Sequence, residues 1–172
     1  MDDTPQKPID KAYLRRATLA YLQRYASSAE NLRKVLHRKV RRRLGVQGEA
    51  PDDLDRLIDD VIAEATKIEL VDDRRFAEGR IATLLRRGTS RRMLQHKLSA
   101  KGIEREVAQA AIEASEVDDL ASCRRLAQRR KLGPWRTPPD PDRRDRDLAI
   151  LLRAGYSHSL ARSVIDGTAE ED

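Results

Sequence analysis

Three times along this chain a helical pattern stops, a serine follows within a few residues, and a short leucine-bearing helix begins. The stops fall near Tyr25, Gly88 and Gly155; the serines are Ser28, Ser90 and Ser157; the leucines are Leu32, Leu94 and Leu160. A serine hydroxyl accepts a hydrogen bond from a first-turn backbone N–H, so it starts helices well. Glycine ends them, because it enters the left-handed region without a Cβ penalty. A small unit repeated in this way cannot bury its apolar face alone and must stack on its neighbours. Aromatic residues are only 3% and charged residues 37%. That leaves little volume for one large core and suits thin contacts among Leu, Ala, Ile and Val. No alternating run is long enough for a β-strand. The expected fold is all-α, an elongated array of tandem helical units over 11–70, 71–115 and 116–167. Residues 1–10 are expected to be a disordered leader and 168–172 an acidic tail.

The local patterns fill in this outline. Leu14, Ala17, Tyr21 and Tyr25 share one side of a helix from Lys11 to Ala26, and Leu32, Leu36 and Val40 line the next. Leu54, Leu57, Ile58, Val61, Ile62, Ala65 and Ile68 form the clearest amphipathic stripe, with Asp55, Asp59, Asp60 and Glu64 opposite. Those carboxylates are expected to be solvated and to steer phosphate toward other faces. Asp72 is the expected cap of a helix carrying Ala77, Ile81, Leu84 and Leu85, with Arg86-Arg87 in its last turn. Thr89 or Ser90 caps a short helix with Leu94 and Leu98 inward, and Gly102 stops it. Val107, Ala110, Ala111 and Ala114 are expected to be the inner face of the following helix. Asp140 or Asp142 is expected to cap a helix through Leu148, Leu151 and Leu152. Trp135, in the proline-rich GPWRTPPDPD stretch, either anchors its loop or lies exposed as a stacking surface.

Charge is unevenly spread. The net charge is +6, and arginine greatly outnumbers lysine, which suits phosphate or carboxylate partners. From Gly79 to Ile103 there is no Asp or Glu, and residues 31–48 and 120–139 are likewise free of acid. The candidate binding residues are Arg86, Arg87, Arg91, Arg92, Lys97 and Lys101 first. Arg41, Arg42 and Arg43 come second, followed by Arg124, Arg125, Arg129 and Arg130. Cations at helix C-termini are also favoured by the helix dipole alone, the plainer explanation for any single run.

Much chemistry is missing. No phosphate-binding loop, zinc-protease motif or Cys/His cluster occurs, and His37, His96 and His158 are scattered among polar neighbours. The single cysteine, Cys123, forms no disulfide within the chain and sits in register with Leu120 and Ala127, as a buried small residue does. No run is apolar enough to span a membrane, and the first residues lack the pattern of a secretory signal. The expectation is a cytoplasmic, monomeric binding protein with no catalytic residues, metal or cofactor.

The stretch LVDDRRFA at 70–77, followed by Leu94, Leu98 and Lys101-Gly102-Ile103, resembles the RecX regulators of the bacterial RecA recombinase. Ser28 and Leu32 before it, and LLRAGYS at 151–157 after it, support the resemblance over most of residues 11–166. Ser90-Arg91 stands where the family commonly has Gly-Pro, residues 41–51 are longer than usual, and the loop at 133–141 is an addition or a local variant. The resemblance implies three tandem three-helix units in a curved protein. It also implies binding along the RecA–DNA filament, suppression of recombinase activity, and no required cofactor. The alternative from the residues is a DNA-binding protein, either sequence-independent or of helix-turn-helix type with Thr89–Lys101 as recognition helix.

Overall fold

The computed structural model describes residues 8–45 and 48–168. Within them the secondary structure is helical, with no strand among the described residues. By its internal contacts the chain divides into a first unit, 1–76, and a second, 77–172.

The first unit holds α1 (Lys11–Leu22), α2 (Ala29–Leu44) and α3 (Leu54–Lys67). Leu14, Leu32, Leu36 and Ile58 are fully buried at its centre. Leucine side chains buried this completely contribute roughly 1.5–3 kcal/mol each. Helix α1 opens at Asp10, whose carboxylate accepts from Tyr13 N at 2.7 Å, and Ile9 packs against the core. Residues 9 and 10 are therefore part of the fold rather than of a leader; residues 1–7 lie outside the described residues. The first helix ends at Leu22, short of Ala26, and Tyr25 is 58% exposed, leaning on Tyr21 at 5.2 Å between ring centroids. Ser28 caps α2 as expected, accepting from Asn31 N at 3.2 Å.

The acidic face of α3 is not merely solvated. Glu64 takes a two-pronged hydrogen bond from Arg15, at 2.7 Å on each oxygen, and pairs with Lys11 at 2.8 Å. Asp59 pairs with Arg33 of α2, and Asp55 with His37 at 3.2 Å. These carboxylates link α3 to both partner helices. The pairing holds the Glu64 carboxyl well below the usual range, at about 2, chiefly through the hydrogen bonds from Arg15 and then Lys11. Ile68, expected on the inner stripe, is 65% exposed, because α3 ends at Lys67 and the backbone turns before it.

Helix α4 (Asp73–Leu85) carries the chain into the second unit. Asp72 caps it, accepting from Arg75 N at 2.9 Å. Asp73 also reaches back, accepting from Ala29 N at 2.8 Å, and so satisfies a free N–H at the start of α2. Then come α5 (Arg91–Ser99), α6 (Arg105–Ala114), α7 (Asp119–Arg130), α8 (Arg144–Arg153) and α9 (His158–Ile165). Leu94 and Leu98 are fully buried. On α6 the inner face is Ala108, Ala111 and Ile112 rather than the expected Ala110 and Ala114, which are exposed. Helices α7, α8 and α9 close over Cys123, Leu126, Ala127, Leu151 and Val164. Burial pushes the Cys123 thiol up to about 12, which makes it unreactive near neutrality.

The proline-rich segment is anchored. Trp135 packs, half-buried, against the α7–α9 core. Asp147, 1% exposed, accepts from Gly133 N at 2.9 Å and pairs with Arg136 at 2.7 Å. Neither Asp140 nor Asp142 caps α8, which begins at Arg144 with no side-chain cap, and Leu152 is 39% exposed. Ser157 caps α9, accepting from Leu160 N at 3.3 Å. Of the acidic tail only Thr168 is described.

Candidate functional site

Two glycine turns in the second unit set the geometry of a cleft. Gly88, just after α4, has φ +69, and a Cβ there would lie 2.5 Å from Ser122 O and 2.6 Å from Leu126 N. Only a glycine lets the end of α4 come this close to the backbone of α7. Gly155, just after α8, has φ +90, and a Cβ there would sit 2.7 Å from Ser90 Oγ. Ser90 does double duty at that junction: it accepts from Met93 N at 3.3 Å, capping α5, and donates to Ala154 O at 2.8 Å. Each link ties the end of one helix to another helix.

The result is an open hollow of about 340 Å³ where the C-terminal ends of α4, α7 and α8 converge on one flank of α5. Arg87, Lys97, Arg129, Arg130 and Arg153 line it, with no acidic side chain among the lining residues. Leu84, Met93, Leu126 and Ile150 supply an apolar floor and wall. The helix dipoles offer the cations a local role, since each C-terminus carries about half a negative charge. Three such ends offset less than two of the five positive charges, so a strong positive excess faces the hollow. Anion binding is the chemistry this arrangement supports.

The cleft gathers four of the thirteen sequence candidates, Arg87, Lys97, Arg129 and Arg130, and adds Arg153. Arg153 lies in none of the basic runs, although the repeat marks it: it precedes Gly155 much as Arg86-Arg87 precede Gly88. The other candidates lie elsewhere. Arg86 is exposed and donates to Thr83 Oγ1 at 3.2 Å. Arg91 is held at the start of α7, its backbone N–H on the Asp119 carboxylate at 2.8 Å and its guanidinium on Val117 O, in the loop before that helix, at 3.4 Å. Arg92 and Arg125 are exposed outside the lining, while Lys101 and Arg124 are half-buried and already engaged. In the first unit Arg41 lines a separate hollow of about 260 Å³ beside His37. Arg42 is exposed there, and Arg43 stacks over the Tyr13 ring at 4.3 Å. Among the described residues, no group of three or more His, Cys, Asp or Glu is placed to hold a metal ion, and no helix is long and apolar enough to cross a membrane.

Fold and cleft define a class: an all-α, helical-repeat protein whose most distinctive surface is a cationic hollow built from helix ends. Comparison with known proteins narrows the class. Residues 72–112 match the family described as RecX, second three-helix domain. The chain is 35% identical over 168 residues to a protein of Myxococcus xanthus named regulatory protein RecX, covering 94% of this chain and 90% of that one. It is 31% identical over 161 residues to the protein of the same name from Agrobacterium fabrum, covering 93% and 85%. Among solved structures, RecX from Lactobacillus salivarius superposes with a TM-score of 0.66 at 19% identity, covering 91% of this chain and 95% of that one. A second RecX crystal structure gives 0.67 at 17% identity, covering 91% and 72%. The chain belongs to the RecX family of regulatory proteins.

Proposed function

We propose that this protein restrains a RecA-type recombinase in homologous recombination and DNA repair by binding along the recombinase–DNA filament. Membership of a family of regulatory proteins supports that role. The observation that carries the binding mode is the cleft, where five cations converge without a neutralising carboxylate. A filament offers both phosphates and acidic protein surface. Tandem helical units over 11–70, 71–115 and 116–167 would engage successive subunits. Many weak contacts then add through effective concentration. In this reading the protein works as a cytoplasmic monomer, by occupancy, with no catalytic residue or cofactor.

The test is recombinase-dependent ATP hydrolysis and strand exchange on single-stranded DNA. The expected result is inhibition at amounts well below one copy per recombinase subunit. Unchanged recombinase activity at equimolar protein would falsify the proposal.

A helix-turn-helix reader with Thr89–Lys101 in the major groove has less support. Arg91 at the start of α5 is tied to Asp119 and Val117. Gln95, the helix's one amide side chain for reading base edges, is half-buried with its Oε1 enclosed.

A further inference from the structure

The chemistry of the cleft's floor distinguishes between its two classes of anion. A site for a splayed nucleic-acid strand uses flat aromatic side chains as stacking platforms and amide groups to read base edges. Neither type lines this hollow. Its floor and wall are aliphatic and thioether: Leu84 and Leu126 are buried, and Met93 and Ile150 are half-buried. Methionine in particular adapts its shape to varied apolar guests. A duplex offers nothing to such a floor, because its bases are stacked and its phosphates lie outside. The hollow of about 340 Å³ is at the small end of ligand-sized sites, roughly 300–1,000 Å³, enough for one bulky side chain and its neighbouring backbone.

We infer that the α4–α5–α7–α8 cleft takes an acidic peptide segment of a protein partner, with one large apolar side chain seated on Met93, Leu126 and Ile150. The flanking carboxylates lie on Arg87, Arg129, Arg130 and Arg153. Charge complementarity selects the segment, since guanidinium forks pair with carboxylates bidentately. The apolar anchor supplies the desolvated centre that charge at a wet rim does not. The inference rests on the filament reading and refines it: this part of the surface grips protein, and DNA contacts fall to other cations.

The experiment uses the full chain and fluorescence anisotropy with three labelled probes. One is a short Asp/Glu-rich peptide with a single central Phe, the second has Ser in place of that Phe, and the third is an oligothymidylate. The Phe peptide is expected to bind at least about tenfold more tightly than the Ser peptide. Met93→Asp, and separately Arg129→Glu with Arg130→Glu, are expected to weaken Phe-peptide binding by a similar factor, with circular dichroism unchanged. Oligothymidylate is expected not to displace the peptide. Equal binding of the two peptides, or competition by oligothymidylate, overturns the inference. Because the peptide comparison uses unaltered protein, it holds even if a variant misfolds. Recombinase inhibition is assayed on the same preparations. Inhibition without peptide binding overturns the cleft assignment alone, whereas absence of inhibition overturns the filament reading whatever the peptides do.

Discussion

At the scale of single residues, short polar side chains fix more of this structure than their number suggests. Ser28, Ser90 and Ser157 each cap a helix, and Ser90 also bonds to Ala154 O. Removing one cap typically costs about 0.5–2 kcal/mol. Ser90→Ala should fall at the upper end, since the part-buried hydrogen bond to Ala154 O goes too, and a denaturant melt would measure it. Gly88→Ala forces a side chain onto the α7 backbone at positive φ, so it should cost more than about 1 kcal/mol; an unchanged melting temperature would show that the close approach is not required. Glu64 ties pH to stability. Its carboxyl titrates lower in the folded chain, about 2, than the ordinary 4.5. Its contribution is therefore full above the ordinary value and drains away as pH falls toward 2. Thermal melts between pH 5 and 2 should show a shallower loss of stability for Glu64→Gln than for the unaltered chain. The effect is modest because Glu64 and its partners are partly solvated.

At the scale of elements, apolar periodicity located the helices because each needs one inward stripe, and Leu94 and Leu98 were readable for that reason. Leu94→Ala should destabilise by roughly 2–5 kcal/mol, depending on how far the site collapses. Equilibrium unfolding checks this, and a loss below about 1 kcal/mol would mean that the α5 core is loosely packed. What periodicity misjudged lies at helix ends and on alanine-rich faces. Ile68, Tyr25 and Leu152 fit their stripes by spacing, but the first two lie beyond the last helical turn and all three are exposed. On α6 several alanines compete for the inner face, and their similar size gives spacing nothing to choose by. Spacing alone presents the acidic face of α3 as a solvated one, because pairing with Arg15 and Arg33 depends on how helices lie beside one another. The candidate site shows the same division. Basic runs were plain in the sequence, yet which of them converge is set by Gly88, Gly155 and Ser90, whose long-range contacts no local pattern encodes. Arg153 belongs to no run, so charge density alone does not mark it.

At the scale of the whole molecule, the net charge of +6 makes electrostatic association with a polyanionic filament favourable and salt-sensitive. The family relationship extends over nearly the full length of the chain and of its Myxococcus xanthus relative. In the proposed mechanism, charge reversal at the cleft removes attachment while the helices persist, because Arg87, Arg129 and Arg130 are exposed. The decisive measurement is strand exchange by the recombinase, titrated with the unaltered protein and with the Arg129→Glu, Arg130→Glu double variant, alongside circular dichroism of both. The account predicts substoichiometric inhibition by the unaltered chain and at least about tenfold weaker inhibition by an equally helical variant. Equal inhibition by the two proteins would contradict it.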